Sequence, residues 1–91
     1  MGLDIGIVHE LKWPPRPGWA LWEELSNYVV DADGTYMSLT NVREALSEMM
    51  LKDGVDDLDS EQGREFVEWC EEYWKQRGLG GNDSISIVLD Y

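Results

Sequence analysis

An α+β fold follows from three features of the sequence. Two segments near opposite ends of the chain alternate apolar and polar residues. Three segments between them repeat apolar residues at helical spacing. Glycine, proline and aspartate clusters separate these segments. The expected architecture is a small sheet formed by N- and C-terminal strands and covered by three helices. It is expected to be a single domain spanning residues 1–91.

The first strand reads "LDIGIVHEL", with Leu3, Ile5, Ile7, His9 and Leu11 on one face. The last reads "SISIVLDY", with Ile85, Ile87, Leu89 and Tyr91 on one face. Neither strand is stable alone, so the two are expected in one sheet. "YVVDADGTYMSL" supplies a turn at "DADG" and a short third strand at "TYMSL".

The first helix is expected over residues 19–30. Leu21, Trp22, Leu25, Tyr28 and Val29 form its stripe, and Glu23, Glu24, Ser26 and Asn27 face away. The second covers residues 41–52, with Val42, Ala45, Leu46, Met49 and Met50 inward, and Asn41 and Glu44 as a capping box. The third starts at an Asp59 N-cap, with Gln62 three residues on. It turns Phe66, Val67, Trp69, Cys70, Tyr73 and Trp74 inward and closes with Lys75, Arg77 and a C′ glycine, Gly78.

"KWPPRPGWALW" joins the first strand to the first helix. One reading is a rigid corner. Trp13 continues the strand face, Pro14, Pro15 and Pro17 stiffen the chain, and Gly18 releases it into a helix at Trp19. The other is a polyproline ligand of PxxP spacing, Pro14 to Pro17, with Lys12 as its flanking base.

Composition narrows function. Hydrophobic residues make up 43% of the chain, and five tryptophans point to a core of a few large pieces, not a disordered chain. Roughly two-thirds of the unfolded surface can be buried at this size, enough for one modest core. The net charge of −12 repels phosphate backbones and anionic membranes, and it attracts basic protein surfaces. The same acidity also serves solubility. A lone cysteine excludes an internal disulfide, and no apolar run spans a bilayer. "MGLDIGIVHE" lacks the features of a signal peptide, so a cytoplasmic location is expected.

Catalytic chemistry has little to draw on. His9 and Cys70 could form a nucleophile–base pair, but Cys70 lies on the apolar side of a helix, where a free cysteine fills core. A calcium loop can be aligned on Asp31, Asp33 and Gly34, which puts Val29 and Thr40 where carboxylates belong. One Cys and one His make no zinc site, and "GLGG" precedes a strand, the wrong context for a phosphate loop. No catalytic residue, metal or cofactor is expected.

Charge is concentrated instead. Residues 53–72 hold nine acids against one base, Arg64, or two-thirds of the net charge. On a helix, Glu61, Glu65, Glu68 and Glu72 form a rail about 16 Å long. That is roughly half as dense as the phosphates of one nucleic-acid strand. Asp53, Asp56 and Asp57 extend the patch. Like charges one turn apart cost some tenths of a kcal/mol per pair, so the rail is not neutral for folding.

"EQGREFVEWCEEYWKQRG" followed by "SISIVLDY" resembles barstar, the small acidic ribonuclease inhibitor. "ALWEELSNYV" resembles that family's inhibitory helix, with Trp22 and Glu23 at its Trp and acidic positions. The resemblance implies a small parallel sheet with helices packed on it, and Glu23 facing the target enzyme. "KWPPRPG" stands where the family has a helix, and Trp19 where it has a second key acid. The "MGLDI" opening is similar to the starts of small phage-encoded proteins.

The expected function is therefore a non-enzymatic acidic inhibitor of the phage anti-defence, antitoxin or immunity type. It would imitate nucleic acid and dock on a basic surface of a nuclease, polymerase or defence protein. The expected contact residues are Glu61, Glu65, Glu68, Glu72, Asp56, Asp57 and Glu23. Direct contact with nucleic acid or membrane is not expected. An adaptor or assembly module that binds through aromatic and apolar surface, as a homodimer or with another protein, is the alternative. A small calcium-responsive domain is the third.

Overall fold

The computed structural model describes residues 4–7, 14–31 and 34–90. Its elements are β1 (Asp4–Ile7), α1 (Trp19–Val29), β2 (Val30–Asp31), β3 (Gly34–Ser38), α2 (Leu39–Leu51), α3 (Asp57–Gln76) and β4 (Ser84–Asp90). The fold is α+β, as the alternating ends and the helical middle predict. The sheet runs β1-β4-β3-β2 and every pair is antiparallel. The parallel sheet that the barstar resemblance implies is not formed. No crossover connects two parallel strands, because β2 and β3 form a hairpin and the first and last strands pair head to tail.

The terminal strands meet directly, with Ile5 opposite Leu89 and Ile7 opposite Ile87. Alternation then sorts the sheet into two faces. Ile5, Ile7, Met37 and Ile87 are buried under the helices, while Tyr36 and Val88 are exposed on the other side. β2 and β3 pair on either side of the "DADG" segment, with Asp31 opposite Gly34. Residues 32 and 33 lie outside the described residues, as do His9, Leu11, Lys12, Trp13 and Tyr91, on which other expectations rest.

The corner reading of the proline stretch holds. Pro14 and Pro17, the two prolines of the PxxP spacing, are buried, and Pro15 between them is exposed. Gly18 takes a left-handed φ of +84°, and its carbonyl accepts the Trp22 N–H at 3.0 Å. A Cβ here would come within 3.0 Å of Gln62 on α3. The positive φ therefore favours glycine, and any larger residue would also have to push Gln62 aside.

Each helix contributes an apolar stripe to one core. Leu21, Trp22, Leu25 and Val29 come from α1, and Leu39, Val42, Ala45 and Met49 from α2. The larger share comes from α3, with Phe66, Val67, Cys70, Tyr73 and Trp74. The Trp74 indole N–H donates to the Asp83 carbonyl at 3.1 Å, tying the turn before β4 to the core.

Two helix starts differ from expectation. The N-cap of α2 is Ser38, whose hydroxyl accepts the Asn41 N–H at 3.1 Å while Asn41 Oδ1 accepts the Ser38 N–H at 3.0 Å. Asn41 is thus the third residue of the box and not its cap. The N-cap of α3 is Asp56, which accepts the Asp59 N–H at 2.8 Å. In both cases an oxygen-bearing side chain three residues upstream caps the helix first. Gly78 has φ +67° just past the Arg77 C-cap, as expected of a C′ glycine.

The α1 and α2 stripes also need correction. Glu24, expected outward, is only 6% exposed and is ion-paired with Lys52. Tyr28 and Met50, expected inward, are exposed at the stripe edges. A long acidic side chain can be buried here because α2 ends beside α1 and delivers an ammonium to it.

Candidate functional interface

On α3 the buried positions and the rail fall on opposite sides of one cylinder. Gly63, Phe66, Cys70 and Tyr73 are buried, and Glu61, Glu65, Glu68 and Glu72 are all exposed. Twenty residues of regular helix hold the four carboxylates in register. None of the four is ion-paired among the described residues. Arg43 pairs with Glu71 at 3.7 Å, and Lys52 with Glu24. Glu72 accepts only a neutral donor, Gln76, at 3.1 Å.

The two ends of the rail have different surroundings. Its C-terminal half borders an open groove of about 550 Å³ that also holds Arg43, Glu71 and Lys75. Charge there is partly balanced. The N-terminal half continues into Asp57 and Asp56, both exposed. Asp56 has a structural task as well as its charge, because it caps α3. Burial, and then the negative charge of Asp56, push the Asp59 carboxyl above the usual range.

Glu23 lies on α1 and not on the rail. It lines a small cleft with Trp19, Ala20, Asp53, Val55 and Asp59, so the fold brings it to the start of α3. All the expected contact residues are thus exposed, and they gather along the outer side of α3 and around its N-terminus.

Among the described tryptophans one is exposed. Trp19 is 56% exposed and stacks in parallel on the buried Trp22, with ring centroids 6.3 Å apart. Trp74 and Trp22 are buried and Trp69 is partly buried against Tyr73. The three-residue spacing from Trp22 at the first turn of α1 was the signal available in the sequence.

The remaining candidates gain no support from the described residues. Burial, with a smaller effect from Glu71, drives the Cys70 thiol far above its ordinary pKa, the reverse of what a nucleophile needs. His9 lies outside the described residues. The calcium alignment conflicts with local structure. Residues 34–38 form a strand, Val29 is buried, and the Thr40 hydroxyl donates to Gly81 and Asn82. Among the described residues no group of three or more His, Cys, Asp or Glu could hold a metal ion, and no helix is long and apolar enough to cross a membrane.

In comparisons with known proteins, no family model, curated protein or solved structure matches this chain.

Proposed function

We propose that this protein is a non-enzymatic inhibitor that docks its acidic α3 surface onto a basic, nucleic-acid-handling surface of a partner protein in the cytoplasm. The observation that carries this reading is the rail. Four exposed glutamates stand in one line on the outer side of α3, unpaired among the described residues. Such a line attracts a surface built to hold phosphates, and its field speeds the encounter. The partner groups are Arg and Lys side chains. Asp56, Asp57 and Glu23 extend the contact toward the start of α3. The anti-defence, antitoxin and immunity roles share this physics.

The alternative is an adaptor that binds through apolar surface. Leu51 and Leu58 favour it, since they are 80% and 62% exposed on either side of the acidic α2–α3 loop.

Ionic strength separates the two readings. The Debye length shrinks from about 30 Å at 0.01 M to about 8 Å at 0.15 M. Capture of partners from lysate at low salt, followed by a salt gradient, tests the proposal. The control is a variant with Glu61, Glu65, Glu68 and Glu72 changed to Lys. The expected result is a basic nucleic-acid-handling protein that elutes at moderate salt and is not retained by the variant. A partner held equally by both forms, or retained at high salt, overturns the proposal in favour of apolar docking.

A further inference from the structure

Trp19 combines four features that a solvated helix start does not require. It is the largest exposed apolar side chain among the described residues. Its ring rests on a second indole, Trp22, which is itself fixed in the core. It follows directly on a stiff base, with Pro17 buried and Gly18 buried beside Gln62 of α3. It also walls a cleft of about 230 Å³ whose other side carries carboxylates.

The charges in that cleft are unequal. Glu23, one helical turn along from Trp19, and Asp53 and Asp59, from across the cleft, bring three carboxylates. None of the three is ion-paired among the described residues. The basic residue on the cleft, Lys52, has its ammonium engaged by Glu24. The volume is below the roughly 300 Å³ at which small-molecule sites begin. It suits a single long side chain instead.

We propose that this cleft receives an arginine side chain from a basic segment of the partner protein, with its guanidinium stacked on Trp19 and held by Glu23, Asp53 and Asp59. The inference rests on the acidic-docking reading above and identifies the centre of that contact. A guanidinium fits better than an ammonium for two reasons. It is planar, so it can lie on the indole face. It is also less strongly hydrated and presents a fork of donors to carboxylates. Interface energy concentrates on rigid aromatic anchors ringed by polar residues, and Trp19 is held rigid before binding. The rail then steers the basic surface, and the Trp19 cleft fixes its register.

The test uses the whole chain and two probes of equal charge, hexaarginine amide and hexalysine amide, at low ionic strength. Tryptophan indole resonances are followed by ¹H–¹⁵N NMR, with the Trp19 signal assigned from its loss in Trp19→Phe. Hexaarginine is expected to shift the Trp19 indole and to bind roughly fivefold tighter than hexalysine. Trp19→Ala, which removes an exposed ring, is expected to make the two peptides bind alike. A second variant, Glu23→Gln with Asp53→Asn and Asp59→Asn, is expected to do the same while keeping the indole. Neutralising the rail with Glu61, Glu65, Glu68 and Glu72 changed to Gln should weaken both peptides yet keep the preference for arginine.

Equal binding of both peptides with an unmoved Trp19 signal, and loss of both with the neutral rail, overturns the cleft and leaves the acidic surface standing. Failure of both peptides to bind the unmodified protein overturns both.

Discussion

Helices α2 and α3 share one core and differ in what they show to water. Leu39, Val42, Ala45 and Met49 of α2 are buried, while Arg43, Glu44, Ser47 and Glu48 face out. Phe66, Val67, Cys70, Tyr73 and Trp74 of α3 are buried, while Glu61, Glu65, Glu68 and Glu72 face out in one line. Arg43 bridges to Glu71, so α2 even lends positive charge to its neighbour. Two glutamates one turn apart accompany a solvated α2. Twice that number lines α3, and neither Arg64 nor Lys75 on the same helix is ion-paired to any of the four among the described residues. The contrast separates charge that keeps a helix wet from charge that the fold arrays along one side.

The largest effect should come from the side the helices share. Phe66→Ala removes a fully buried ring and is expected to cost about 3–5 kcal/mol in urea unfolding. A smaller loss would mean that the α3 stripe packs loosely and the rail has no rigid base.

Next come the caps. Ser38→Ala at α2 and Asp56→Ala at α3 should each cost about 1 kcal/mol. Asp56→Asn keeps a capping oxygen and should restore most of the stability while removing one charge. It therefore separates the structural role of Asp56 from its role in partner contact.

The outer sides differ more subtly. Changing Glu61, Glu65, Glu68 and Glu72 to Gln should raise stability by about 0.2–0.5 kcal/mol for each relieved like-charge pair. The gain should shrink as salt is added. A loss of stability would show that the rail is a structural feature and not an exposed one.

The smallest effects are in the pH profile. Asp59 binds its proton more tightly in the folded state, so its contribution is full below the ordinary carboxylate range. That contribution is lost as pH rises through the raised value. Asp59→Asn should flatten that part of the profile. At the alkaline end Lys52 is raised mainly by its hydrogen bond to Glu24, and Tyr28 mainly by burial. Both contributions are present below their ordinary values and are lost as pH rises through the raised ones. Lys52→Met should remove the first and leave the second, as followed by pH-dependent unfolding.

Periodicity made most of this architecture legible. Alternation in the terminal strands placed Ile5, Ile7 and Ile87 inward, and spacing of three and four placed the α3 stripe and, by default, its rail. Capping was less legible, because several Ser, Asp and Asn residues near each start could serve and only the fold selects Ser38 and Asp56. The β2–β3 hairpin was half read. The turn was clear, but a two-residue strand leaves no period to detect. Glu24 was misplaced because its burial depends on Lys52, 28 positions along the chain and beyond any local pattern. The Trp19 cleft was invisible for the same reason. It takes Glu23 from α1, Asp53 from the loop and Asp59 from α3, which only the tertiary fold brings together.

The central claim is that position on α3, and not total charge, directs partner binding. Two charge-matched variants test it most directly. One neutralises Glu61 and Glu65, and the other neutralises Glu44 and Glu48, an exposed pair at the same spacing on α2. Dissociation constants for the captured basic partner would be measured across an ionic-strength series. The account predicts that the α3 variant loses several-fold affinity and shows a flatter salt dependence, while the α2 variant binds like the unmodified protein. Equal losses from both variants, or no loss from either, would contradict it.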